Sequence, residues 1–113
     1  MTIRIYHNPR CSKSRATLAL LEERGIQPEI IRYLDNPPSA DELRELLRML
    51  GRTPGELARR GEEAWRSLEL ADADDETILA AMVNHPKLIE RPIVINGDRA
   101  ALGRPPEAVL EIL

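Results

Sequence analysis

The order of signals in the first third of the chain constrains the fold more than any other feature. Ile3, Ile5 and Tyr6 form a short apolar run that stops at the turn signal His7-Asn8-Pro9. Ser12 to Arg24 reads as a helix, with Ala16, Ala19 and Leu20 on one face and Gly25 as its stop. Glu29 to Leu34, carrying Ile30, Ile31, Tyr33 and Leu34, reads as a second strand. A strand, a helix and a strand in this order make a parallel crossover, so the chain begins as an α/β protein. Cys11 falls at the junction between the first strand and the helix.

The middle third is helical. Ser39 and Glu42 have capping-box spacing, and Leu43, Leu46, Leu47 and Leu50 follow at helical intervals before Gly51. Thr53-Pro54 with Glu56 repeats the start signal for a shorter helix. Asp74 to Asn84 carries Ile78 and Met82 on one face and is ended by Pro86; the acidic stretch Asp72 to Glu76 suits a helix N-terminus, where carboxylates meet the positive end of the dipole. Arg91-Pro92 then opens the apolar run Ile93-Val94-Ile95, and Asn96-Gly97 is a tight-turn signal leading into Ala100-Ala101-Leu102, an antiparallel hairpin. Pro105 and Pro106 suit the start of a closing helix with Val109, Leu110 and Leu113 as its apolar face.

With 113 residues the chain has the size of one globular domain. Its lack of Phe and its aromatic share of 3% leave the core to Leu, Ile, Val and Ala, which suits helices packed on a small sheet. A net charge of -3 argues against a nucleic-acid partner, whose phosphates require a basic stripe. No segment has the length and apolarity of a signal peptide or a membrane span, so the expected location is the cytoplasm, with no membrane partner.

A lone cysteine closes no intrachain disulfide and builds no multi-thiolate metal site, so Cys11 is either an inert core residue or a reactive thiol. Its surroundings favour the reactive thiol. At a helix N-terminus the backbone N–H groups of Ser12, Lys13 and Ser14 are free to face the sulfur, and Arg10, Lys13 and Arg15 add positive charge; both effects lower a thiol pKa. The same loop can cradle an oxyanion. His7 either orders this loop or tunes the thiol. His85 reads as a helix-end residue and Trp65 as core packing. Arg91 and Arg104 precede prolines at the two ends of the hairpin, and guanidinium groups bind oxyanions in bidentate fashion. Spacing alone leaves open whether they converge on Cys11.

The segment Tyr6-His7-Asn8-Pro9-Arg10-Cys11-Ser12-Lys13-Ser14-Arg15 resembles the His-x3-Cys-x3-Arg signature of the glutaredoxin-dependent arsenate reductases of the ArsC type. Tyr33 to Pro38, His85-Pro86, Leu88 to Val94 and Gly103-Arg104-Pro105 resemble that family's later blocks, so the likeness runs along essentially the whole chain. It implies a single thioredoxin-like domain over residues 1–113, with a mixed sheet of about four strands flanked by helices, a helical insertion and a cis Arg91-Pro92 bond. It makes Cys11 the nucleophile, His7, Ser14 and Arg15 supports of the Cys loop, and Arg59, Arg91 and Arg104 the oxyanion ligands; the spacing after Leu57 favours Arg59 over Arg60. The implied reaction is reduction of arsenate to arsenite with glutathione as cosubstrate and glutaredoxin as partner, without a metal or bound cofactor. Two rivals are an oxidoreductase acting on glutathione mixed disulfides and a Spx-like regulator that binds RNA polymerase; such regulators carry a Cys-x-x-Cys pair, and here Ser14 takes the second position.

Overall fold

A computed structural model describes residues 2–113, which fall into two compact units: the segments up to Asn36 and from Arg91 onward make one, and Pro37–Glu90 the other.

The first unit is built on a four-stranded mixed sheet. Strands β1 (Ile3–Tyr6) and β2 (Glu29–Ile31) are joined through helix α1 (Ser12–Glu23), and β3 (Ile93–Asn96) and β4 (Arg99–Leu102) form the hairpin turned at Gly97. The order is β2-β1-β3-β4, with β1 parallel to β2 and antiparallel to β3. This is the expected thioredoxin-like arrangement. Because successive side chains alternate faces, the row Ile5, Val94 and Ala101 points to one side, where Leu21 of α1 and Val109 and Ile112 of a closing 3-10 helix (Pro106–Ile112) complete a core. The alternate row, Tyr6, Ile93 and Ile95, is buried as well, and Tyr33 meets Tyr6 edge to face at 6.4 Å.

Three local expectations are corrected. β2 ends at Ile31, because His7 N–H donates to Ile31 O as the last rung and the chain then turns through Arg32, whose carbonyl accepts from Asp35 and Asn36. The buried residues of α1 are Ser14, Thr17 and Leu21, whereas Ala16 and Ala19 are exposed. The closing helix is 3-10, so residues three apart share its inner face: Val109 and Ile112 are buried and Leu113 is exposed.

The second unit is the helical insertion. Helix α2 (Ala40–Leu50) has the full capping box between Ser39 and Glu42 and ends at Gly51 with φ 67°. The short α3 (Pro54–Leu57) repeats the box with Thr53 and Glu56. α4 (Glu63–Ser67) buries Trp65, over which the Arg60 guanidinium lies at 5.1 Å, and α5 (Asp75–Asn84) is capped by Asp74, whose carboxylate accepts from Thr77 N–H at 2.8 Å. Leu43, Leu46, Leu57, Leu70, Ile78 and Met82 are almost wholly buried within this unit. No helix among the described residues is long and apolar enough to cross a membrane.

Candidate active site

Cys11 is the N-cap of α1, with extended φ/ψ of -93° and 123°, and its carbonyl accepts Arg15 N–H at 3.0 Å. Helices α2 and α5 carry acidic residues in their first turns, but the first turn of α1 has none. The positive end of α1 is thus left to the half-buried thiol. Burial opposes ionisation of Cys11, yet the backbone N–H of Ser14, the Arg91 side chain and the backbone N–H of Lys13 outweigh it and hold the thiol below its ordinary value.

The loop before α1 is held by a small polar network. Asn8 makes a local turn, its Oδ1 accepting from Arg10 N–H and its carbonyl from Cys11 N–H, both at 3.0 Å. The Ser14 hydroxyl is fully buried; it accepts from Asn8 N–H at 3.0 Å and lies 2.6 Å from His7 Nδ1. The arrangement that satisfies all three groups has Ser14 donating to Nδ1 and the ring proton on Nε2. Burial, with the charges of Arg32 and Arg15, keeps the His7 imidazole below its ordinary value and hence neutral at pH 7. The Arg15 guanidinium ties the loop from outside by donating to Pro9 O at 3.0 Å. His7, Ser14 and Arg15 therefore all bear on the shape of the loop that presents Cys11.

The far end of the chain returns to this loop. β3 runs antiparallel to β1, which places the residues before β3 and after β4 at the same sheet end as Cys11. The Arg104 side chain donates from Nε to Arg91 O at 2.7 Å and from Nη2 toward Cys11 Sγ at 3.7 Å. The bonds Arg91-Pro92 and Arg104-Pro105 are both cis, the first as expected and the second unforeseen. Arg91, Arg104 and Cys11 thus form one cluster within the sheet unit.

Gly103 was missing from the expected site. Its N–H donates to Pro92 O at 2.8 Å, and a Cβ there would come within 2.6 Å of Thr17 Oγ1 and 2.7 Å of Pro92 Cγ. Only glycine lets the strand leading to Arg104 lie this close to α1. The sequence signal was its place directly before Arg104.

Arg59 lies in the helical unit, where its guanidinium pairs with Glu62 at 2.9 Å and with Glu90 at 3.4 Å. Arg60 donates to Gly55 O and covers Trp65. No group of three or more His, Cys, Asp or Glu side chains among the described residues is placed to hold a metal ion.

A model of the ArsC family matches residues 6–112. The chain belongs to the ArsC family. It is 51% identical to a protein of Haemophilus influenzae named arsenate reductase, with all of both chains covered. It is 52% identical to a protein of Escherichia coli K12 named uncharacterized protein YfgD, over 98% of this chain and 96% of that one. Among solved structures, an arsenate reductase from Vibrio cholerae superposes with a TM-score of 0.96 at 52% identity, covering all of this chain and 98% of that one.

Proposed function

We propose that this ArsC-family chain reduces arsenate to arsenite through the Cys11 thiolate, with glutathione as cosubstrate and glutaredoxin as the recycling partner. The observation that best supports this reading is the Cys11 sulfur at a helix N-terminus whose first turn has no acidic residue, with Arg91 and Arg104 beside it. That combination activates a sulfur nucleophile and stabilises a tetrahedral oxyanion at the same point.

In this reading the Cys11 thiolate attacks arsenic(V). An arsenic–oxygen bond breaks, and the leaving hydroxide takes up a proton to depart as water, which leaves a cysteine–arsenate ester. Arg91 and Arg104 neutralise the remaining oxyanion charge. The glutathione thiolate then attacks the Cys11 sulfur. The sulfur–arsenic bond breaks with its electron pair left on arsenic, which becomes arsenite, and Cys11 is left in a mixed disulfide with glutathione. Glutaredoxin attacks the glutathione sulfur of that disulfide and releases Cys11 as thiolate. An enzyme with one thiol cannot form the internal disulfide that a thioredoxin dithiol ordinarily reduces, hence the choice of reductant.

The test is multiple-turnover arsenite production by wild type and Cys11→Ser, with glutathione and glutaredoxin in one arm and thioredoxin with its reductase in the other. Turnover in the first arm by wild type alone is expected. Sustained turnover with thioredoxin, or activity that survives Cys11→Ser, contradicts the mechanism, and inactivity in both arms contradicts the choice of substrate.

A further inference from the structure

The sheet end that carries Cys11 holds more positive charge than a single oxyanion requires. Arg10 and Lys13 flank the cysteine, Arg32 follows β2, and Arg91 and Arg104 flank the hairpin, so all of these cations gather where β1 and β2 end. No acidic residue occurs from Tyr6 to Leu21, whereas Glu22 and Glu23 end α1, Glu29 starts β2 and Asp98 sits in the hairpin turn, all toward the opposite end. Glu90 beside Arg91, Asp35 beyond β2 and Glu107 in the closing 3-10 helix are the acids nearest this end in the chain, and Glu90 is paired with Arg59.

Arg91 and Arg104 are committed to the sulfur, but Arg10, Lys13 and Arg32 are exposed and form no ion pair among the described residues. Arg32 bears on the loop itself, because its charge is felt at His7. Consecutive Cα atoms are about 3.8 Å apart, so the residues flanking Cys11 lie well within the roughly 8 Å screening length of physiological salt. A solvent-facing cluster of uncompensated cations raises the local concentration of anions that approach the sulfur.

We infer that Arg10, Lys13 and Arg32 form a subsite for the carboxylates of an anionic thiol, which selects the cosubstrate that attacks Cys11 and is separate from the Arg91 and Arg104 pair. This rests on the proposed thiol-resolved mechanism. The oxyanion occupies the arginine pair while the second thiol must still reach the Cys11 sulfur from solvent, past the exposed cations. A thiol whose carboxylates give it net negative charge is drawn along that path, a neutral one is not, and one of net positive charge is repelled.

The test needs no arsenic. Full-length protein is converted to a Cys11 mixed disulfide with thionitrobenzoate, and release of the coloured thiol is timed with glutathione or with glutathione diethyl ester at equal thiolate concentration. The bond from Cys11 to thionitrobenzoate breaks, the attacking sulfur bonds to Cys11, and the electron pair leaves on the coloured thiolate. Wild type should prefer glutathione by about three- to tenfold at low salt, the order expected of a few exposed charge contacts. Combined Arg10→Gln, Lys13→Gln and Arg32→Gln substitutions should abolish the preference, as should about 1 M salt, where screening acts within about 3 Å. Equal wild-type rates, or a preference that persists in the triple variant, overturn the inference. Because this readout is independent of arsenite production, loss of the preference and loss of arsenate turnover are separable failures.

Discussion

Arg104 reaches back across 93 positions of sequence to place Nη2 3.7 Å from the Cys11 sulfur, while its Nε holds the carbonyl of Arg91 at 2.7 Å. One side chain thus couples the segment after β4 to the residue before β3 and presents the result to the thiol. The arrangement depends on β1 and β3 being antiparallel, since only then do the N-terminus of β3 and the C-terminus of β1 share a sheet end.

Removal of either guanidinium should weaken anion binding without unfolding the chain, because Arg104 is exposed and neither residue belongs to the core. Arg91→Ala and Arg104→Ala are each expected to lose roughly tenfold or more in affinity for arsenate or sulfate, the order of a lost charge-assisted hydrogen bond. Lysine should restore only part of this, since it keeps the charge without the fork. Isothermal titration with sulfate measures both; parent-like binding by both alanine variants would remove these residues from the anion site.

Gly103→Ala should act on Cys11 from a distance. The added methyl meets Thr17 Oγ1 and Pro92 Cγ at 2.6 and 2.7 Å, and relief by moving the strand end away from α1 also moves Arg104. A loss of roughly 1–3 kcal/mol in urea unfolding is expected, typical of an overpacked contact. A rise in the Cys11 pKa toward its ordinary value should accompany it. Destabilisation with an unchanged thiol pKa would show that Gly103 serves packing alone.

Ser14→Ala removes the acceptor of Asn8 N–H and the partner of His7 Nδ1 together, in a position without solvent access. A buried donor left without a partner costs about 1–3 kcal/mol, measurable by urea unfolding. The pH dependence follows from the depressed His7 pKa. Below about pH 6.5 the unfolded chain takes up a proton that folded His7 still resists, so the stability gained from neutral His7 is full above that value and is lost as pH falls through the folded pKa. His7→Gln should flatten this part of the stability profile, and an unaltered slope would remove His7 as its source.

Features carried by near neighbours were legible in the sequence. Both capping boxes, at Ser39 with Glu42 and Thr53 with Glu56, involve residues three apart, and the hairpin turn at Asn96-Gly97 depends on its own backbone preference. Features set by distant partners were not. β2 stops where β1 ceases to pair with it, and α1 buries Ser14 and Thr17, polar residues hidden because the Cys loop and Lys13 O take up their hydroxyls. At the site, Cys11 was visible from helix chemistry, but the meeting of Arg91 and Arg104 at its sulfur depends on strand direction. The need for glycine at position 103 comes from Thr17 and Pro92, which are distant in sequence and pack against it.

This sheet end lowers the pKa of the Cys11 thiol, and the most direct measurement of that is the rate of Cys11 alkylation against pH by iodoacetamide, a neutral reagent that the cations do not attract. Burial raises the thiol pKa, but the N–H groups of Ser14 and Lys13 and the Arg91 side chain lower it further than burial raises it. A single titration is expected, with its midpoint well below about 8.5, the unperturbed value, moving upward in Arg91→Ala and Arg104→Ala. A midpoint at or above about 8.5 in the wild-type protein would contradict it.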